Sequence, residues 1–234
     1  MDKQRRVLIT GTSRGIGLEL ARQYLQAGWR VHATCRSPER ALDLGRLAAA
    51  NREAMSIHPL DVTEQRHIDA MMTTLNGAPL DLLINNAGVL GPKHQGFGHT
   101  DADAWSYTFK VNAIAPLKMI EAFADNLVAS GNGVAANLSS RMGSISENDA
   151  GDYYIYRSSK AALNAVLKSA AQDLRPRGVT VVALHPGWVR TVMGGPEAEL
   201  DAVESVTGIR SLLEQVDSSY SGGFFGPGGE RIPW

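Results

Sequence analysis

One cysteine, Cys35, stands in a chain of 234 residues, which excludes an internal disulfide and any zinc cage built from cysteine. Neither sign of charge is in excess. The 23 Lys and Arg against 24 Asp and Glu leave a formal net charge of −1, so the basic footprint of a nucleic-acid or membrane-surface binder is missing. Long apolar runs are missing too. After the charged start MDKQRR the hydrophobic stretch is only Val7-Leu8-Ile9 before a glycine-rich turn. A secretory signal needs roughly 7–15 apolar residues and a membrane span about 20. These absences predict a cytoplasmic protein with no membrane and no nucleic-acid partner. No Ser/Gly/Pro-rich linker and no long repeat divides the chain, so a single domain over residues 1–234 is expected.

The chain does hold a repeated rhythm of short apolar strand, turn and amphipathic helix. Strand-like runs occupy Arg5–Thr10, Arg30–Cys35, Met55–Leu60, Asp81–Asn85, Gly133–Ser139 and Val179–His185. Helical patterns occupy Ile16–Ala27, Glu39–Asn51, Glu64–Leu75, about Asp101–Ala129, about Tyr153–Leu174 and about Glu199–Val216. Near-continuous apolar strands are those buried on both faces, and their alternation with helices implies right-handed βαβ units. The expectation is an α/β fold, a Rossmann-like doubly wound parallel sheet of about seven strands with helices on both faces. Ligands of such sheets lie beyond the carboxyl ends of the strands.

The first strand runs into Thr10-Gly11-Thr12-Ser13-Arg14-Gly15-Ile16-Gly17 and a helix. Gly11 and Gly15 allow a tight turn, and Gly17 lets the helix approach the strand. The helix N-terminus then offers free N–H groups to a pyrophosphate. The spacing Gly-x-x-x-Gly-x-Gly differs from the commoner Gly-x-Gly-x-x-Gly. After the second strand comes Arg36, with no carboxylate to accept from a ribose 2′-OH. A guanidinium there suits a 2′-phosphate, and Arg14 can add a second charge, so NADP is expected over NAD. Further along, Tyr156 and Lys160 stand at i, i+4 on one helix face, where an ammonium is expected to lower the phenol pKa.

TGTSRGIG resembles the cofactor loop of the short-chain dehydrogenase/reductase family, and the resemblance runs along nearly the whole chain. It implies that Asp61 and Val62, after the third strand, sit beside the adenine. It implies that Asn85-Asn86-Ala87-Gly88 is the family's NNAG motif, with Asn85, Ala87 and Gly88 bordering the nucleotide. Tyr156 would protonate a carbonyl oxygen and Lys160 would hold the nicotinamide ribose. Ser140, which opens a Ser-x-x-Gly, is selected over Ser139 to orient the substrate oxygen. Asn112, preceded by Val111 at the cofactor, would hold a water linking the lysine to solvent. In His185-Pro186-Gly187-Trp188-Val189-Arg190-Thr191, residues Pro186, Gly187, Val189 and Thr191 would cradle the nicotinamide. Tyr153 and Tyr154 are set aside, because Arg157 and Ser158 stand where their lysine would be.

The tail Gly226–Trp234 looks like that of the carbonyl-reductase and C-factor-like branch. An NADP-dependent carbonyl reductase or alcohol dehydrogenase acting on a small carbonyl or alcohol is therefore expected, with an NADP(H)-binding signalling or redox-sensing protein as the alternative. A sugar-nucleotide epimerase would need a larger C-terminal domain. Walls of the substrate cleft are expected from residues 89–99, 141–155 and 192–200, with a small lid over about 192–216. Family habit implies a homodimer or homotetramer through the helices at 101–129 and 153–174, and Trp234 is expected at a subunit interface or over its own sheet. No metal is expected, since His94, His99, Asp101 and Asp103 lie in a glycine-rich loop without ligand spacing.

Overall fold

A computed structural model describes residues 4–234. Its centre is one parallel sheet of seven strands: β1 (Arg6–Thr10), β2 (Arg30–Cys35), β3 (Met55–Pro59), β4 (Leu82–Asn85), β5 (Val134–Leu138), β6 (Thr180–Leu184) and β7 (Gly223–Phe225). The spatial order is β3-β2-β1-β4-β5-β6-β7, with all six pairings parallel. The helices are α1 (Gly15–Gln26), α2 (Leu42–Ala50), α3 (Gln65–Leu75), α4 (Ala102–Phe109), α5 (Ala115–Ser130), α6 (Tyr154–Leu174) and α7 (Ala202–Leu213). This is the doubly wound architecture expected. β7, three residues long and rich in Gly and Phe, gives no periodic signal and had no place among the predicted strands.

Alternation along the strands explains both cores. Leu8, Leu83, Ala135, Val181 and Ala183 point to one face, where α3, α5 and α6 bring Met71, Ile120, Phe123, Leu163 and Leu167. Val7, Ile9, Val31, Ile84 and Val182 point to the other, against Leu20 of α1, Leu44 of α2 and Ile209 of α7. With both faces covered, the strands have no polar side, hence their unbroken apolar runs. Strand order reverses between β1 and β4, and the crevice beyond their carboxyl ends is where a ligand of such a sheet binds.

Three departures from expectation have local causes. The second helix starts at Leu42 rather than Glu39, because Pro38–Arg40 closes a separate 3₁₀ turn. The long helix over 101–129 is interrupted by a π-helical turn at Lys110–Ile114. Pro116 follows, and it has no N–H to give to the Asn112 carbonyl four residues earlier, so the regular ladder cannot run through. The stretch expected as a lid over 192–216 is narrower. Its helix, α7, opens on an Asp201–Glu204 capping box and buries Val206, Ile209 and Leu212 against the α1 side of the sheet. Residues 192–200 are the part of that stretch that precedes α7. Among the described residues, no helix is long and apolar enough to cross a membrane.

Candidate functional site

The turn after β1 takes its shape from its glycines. Gly11 and Gly15 have φ of 71° and 57°, where a side chain would be strained. A Cβ on Gly17 would stand 2.2 Å from the Gly11 carbonyl oxygen, so no other residue fits there. Thr10 ties this turn to the end of β4: its hydroxyl accepts from the N–H of Asn86 and of Ala87, each at 3.0 Å. Asn86 returns the contact, its Nδ2 donating to the carbonyls of Thr10 (2.8 Å) and Gly11 (2.9 Å). Thr12 is fully buried, and both its amide and its hydroxyl donate to the Thr34 carbonyl at 3.0 Å. Its side chain therefore holds β1 to β2 and is not directed at a ligand. Asn85 likewise turns inward, donating to Asn137 Oδ1 (2.8 Å) and the Pro116 carbonyl (3.1 Å).

Helix α1 begins after Arg14 with no side-chain cap and no acidic residue in its first turn. Its first N–H groups and positive dipole end are left for an anion from outside the chain. Ser13 and Arg14 at this end are exposed, as is Arg36 after β2, and Ile16 is half-buried. Asp61 lies near Arg36. Burial pushes its carboxyl up, but hydrogen bonds from the Thr63 amide and hydroxyl and the charge of Arg36 together hold it below its ordinary value. Across the turn, Thr191 touches the glycine loop: a Cβ on Gly15 would lie 3.3 Å from its Cγ2. The segment carrying Thr191 is knit to the residues that follow it. Arg190 N–H donates to the Leu200 carbonyl at 2.8 Å, and Trp188 Nε1 to the Gly194 carbonyl at 2.8 Å. Val189 is buried, whereas Val192 and Met193 are exposed on the lip.

At the ends of β4 and β5 the structure brings Ser140, Tyr156, Lys160 and Asn112 together. Tyr156 and Lys160 both face inward from α6 and are 8 % and 5 % exposed. Lys160 Nζ donates to the Leu138 carbonyl at 2.8 Å and lies 5.8 Å from the centre of the Tyr156 ring. A Cβ on Gly88 would come within 3.7 Å of the same Nζ and 3.3 Å of Asn112 Oδ1. Burial pushes the Tyr156 phenol up, with the Ser140 hydroxyl beside it pulling the other way. This departs from the expectation that the lysine lowers it: burial sets the direction, and the lysine Nζ is turned to the Leu138 carbonyl. The same desolvation brings Lys160 down to about 8. Ser139 is occupied elsewhere, donating to Asn164 Oδ1 at 2.6 Å. Asn112 is fully buried. Its Nδ2 donates to the Val89 carbonyl (2.8 Å) and Ser159 Oγ (3.0 Å), and its Oδ1 accepts from Val89 N–H (2.9 Å). Both amide hydrogens are thus spent inside the protein, while Oδ1 keeps one lone pair.

A family model described as short chain dehydrogenase matches residues 5–201. The chain belongs to that family. C-signal of Myxococcus xanthus is 42 % identical to this short-chain dehydrogenase over 165 residues, 70 % of this chain and 99 % of that one. Among solved structures, the NADPH-bound carbonyl reductase from chicken fatty liver superposes with a TM-score of 0.92 at 34 % identity, covering 99 % of this chain and 100 % of that one. A carbonyl reductase from Pseudomonas aeruginosa PAO1 in complex with NADP gives 0.90 and 34 %, covering 99 % and 100 %.

Several residues that shape the dehydrogenase site were given no role of their own in the sequence, Thr10 and Asn86 being read only as members of their motifs. Thr10 and Asn86 lock the glycine turn to β4, and a buried Thr at a strand end was their only signal. Gln95, in the loop after β4, was hidden in a polar glycine-rich stretch, yet it is 1 % exposed and contacts the N-terminus of α6. His94 and His99 line an open cavity with Lys93, Gln95, Gly96 and Asp152. Among the described residues, no three or more His, Cys, Asp or Glu stand together as a metal site. Trp234 lies over its own sheet, stacked on Phe224 at 5.7 Å, and its carbonyl accepts from Ser144 Oγ and the amides of Ile145 and Ser146.

Proposed function

We propose that this short-chain dehydrogenase is an NADP(H)-dependent oxidoreductase of small carbonyl and alcohol substrates, with Tyr156 as its general acid/base. The observation that carries this is a buried tyrosine beside Ser140 and Lys160, on the same edge of the sheet as an uncapped helix N-terminus preceded by Arg14, with Arg36 exposed after the adjacent strand β2. The glycine turn would meet a dinucleotide with backbone alone, since a Cβ on Gly17 would collide with the Gly11 carbonyl, one on Gly11 with Ala87, and one on Gly15 would crowd Thr191. Related carbonyl reductases of this fold are seen with NADP or NADPH.

Residues 11–17 and the first amides of α1 would bind the pyrophosphate, and Arg36 with Arg14 would bind the 2′-phosphate. Asp61 and Val62 would border the adenine; Ala87, Gly88 and Val111 would border the ribose. Pro186, Gly187, Val189 and Thr191 would hold the carboxamide. When bound, the cofactor supplies or accepts the hydride. Tyr156 holds a proton at Oη, within reach of a substrate oxygen that Ser140 orients. Ser140 also shares the charge that develops there. Lys160 holds a positive charge one turn away and presents donors toward Gly88. Asn112 would hold the water that links Lys160 to solvent, through its carbonyl, to which Pro116 has no N–H to offer, or through the free lone pair of Oδ1.

The test is a panel of ketones and aldehydes with NADPH, read at the nicotinamide absorbance, on the parent and on Tyr156→Phe. The variant is expected to keep cofactor affinity and lose roughly 10²–10⁴-fold in kcat. Equal turnover by the two proteins would remove Tyr156 from its role. Failure of NADPH to bind would remove the oxidoreductase reading.

A further inference from the structure

Helix α6 carries Tyr156 and Lys160 but lacks a cap of its own. Tyr153 precedes it with φ of 49° and gives no side-chain acceptor. The acceptors come from Gln95, 61 positions earlier than Tyr156. Its carbonyl accepts from Tyr154 N–H at 3.2 Å, and its side-chain Oε1 accepts from Tyr156 N–H at 2.8 Å. Its Nε2 is saturated as well, donating to the carbonyls of Leu90 (3.0 Å) and Pro92 (2.9 Å). Gly91, with φ of 85°, bends the chain around that amide; a Cβ there would lie 3.6 Å from Nε2.

From Leu90 the connection closes on itself. Neighbouring Val89 is bonded both ways to Asn112, Asn112 donates to Ser159 Oγ, and Ser159 Oγ donates to the Tyr156 carbonyl at 2.8 Å. A ring of hydrogen bonds thus begins at the Tyr156 N–H and ends at the Tyr156 C=O. We propose that Gln95 is a positioning residue for Tyr156, fixing the backbone of the proton donor to the loop after β4. This rests on the role assigned above to Tyr156. A primary amide suits the task because it offers one acceptor to the helix and two donors to the loop. In a buried site, each unsatisfied group would cost stability.

The experiment compares the parent with Gln95→Met and Gln95→Glu. Gln95→Met, of similar shape without polar atoms, is expected to lower kcat at least tenfold and leave NADPH affinity within about twofold. A protonated carboxyl can accept from Tyr156 N–H and donate to a loop carbonyl, whereas a carboxylate can only accept. The kcat of Gln95→Glu relative to parent should therefore rise as pH falls, and burial should bring this rescue toward neutral pH. Hydrogen exchange of the amides at 154–157 gives a readout without turnover: protection should drop in Gln95→Met. Parental protection in Gln95→Met overturns the inference whether or not any carbonyl is reduced. So does parental kcat, or a Gln95→Glu activity ratio flat with pH. An inactive parent with the expected loss of protection would instead fault the oxidoreductase reading and leave the positioning role standing.

Discussion

Lys160 is the most exposed of the site residues to a change of pH, although it is nearly the most buried. Its ammonium has been brought down to about 8 by desolvation, so it is charged at pH 7 and neutral well above pH 8. The positive charge is lost as pH rises through that value, which weakens the bond to Leu138 and, on the proposed reading, the hold on the cofactor ribose. NADPH affinity is expected to weaken between about pH 7.5 and 9, and fluorescence titration across that range checks it. Cofactor choice is also a matter of single residues. A charge-assisted contact from Arg36 to a phosphate contributes on the order of 1.5–3 kcal/mol, roughly ten- to a hundredfold in affinity. Arg36→Asp should reverse the preference for NADPH over NADH, and equal dissociation constants for the two in the parent would sink the assignment. At this scale the sequence was legible where chemistry has a spacing, as in Tyr156 and Lys160. It was silent where a side chain's direction decides. Thr12, Asn85 and Asn112 carry their polar groups into the protein, and only the fold says which way they turn.

Elements were legible through their periodicity and misjudged where a single backbone group broke the pattern. The π-helical turn before Pro116 and the 3₁₀ turn at Pro38 both follow from imino acids whose effect depends on neighbours in space. Helix α7 reads as amphipathic either over a cleft or against α1, and sequence alone does not choose between them. The turn between β1 and α1 is the element with the least tolerance. Gly17→Ala would drive a methyl to 2.2 Å from the Gly11 carbonyl and 2.5 Å from Asn86 Nδ2. Because the obstacle is backbone, relief requires moving α1 off β1. Overpacking of this kind costs about 1–3 kcal/mol or more. The expected outcome is a lower Tm together with loss of NADPH binding. A Gly17→Ala protein with parental Tm and affinity would show that this close approach has no such consequence.

For the whole molecule, the outer surface of the α4–α5 region leaves Tyr107, Ile114 and Val128 exposed, on the helices where family habit implies a partner subunit. A two-fold contact is the commonest way to cover such a surface. Sedimentation at micromolar concentration should give a dimer or tetramer, and Ile114→Lys should shift it toward monomer. A monomeric parent would rule this out. The order of strands across the sheet also bears on how the chain acquires its shape. β1 lies next to β4, so Thr10 meets its partners only when residues 86 and 87 arrive. A ribosome that has released only β1, α1 and β2 has made the glycine turn but not the neighbour that secures it. Contacts so distant along the chain slow the search for the native state. The glycine turn, made before β4, is thus among the parts that must wait during synthesis, and on the proposed reading a nascent chain becomes able to bind nucleotide only after β4 has emerged.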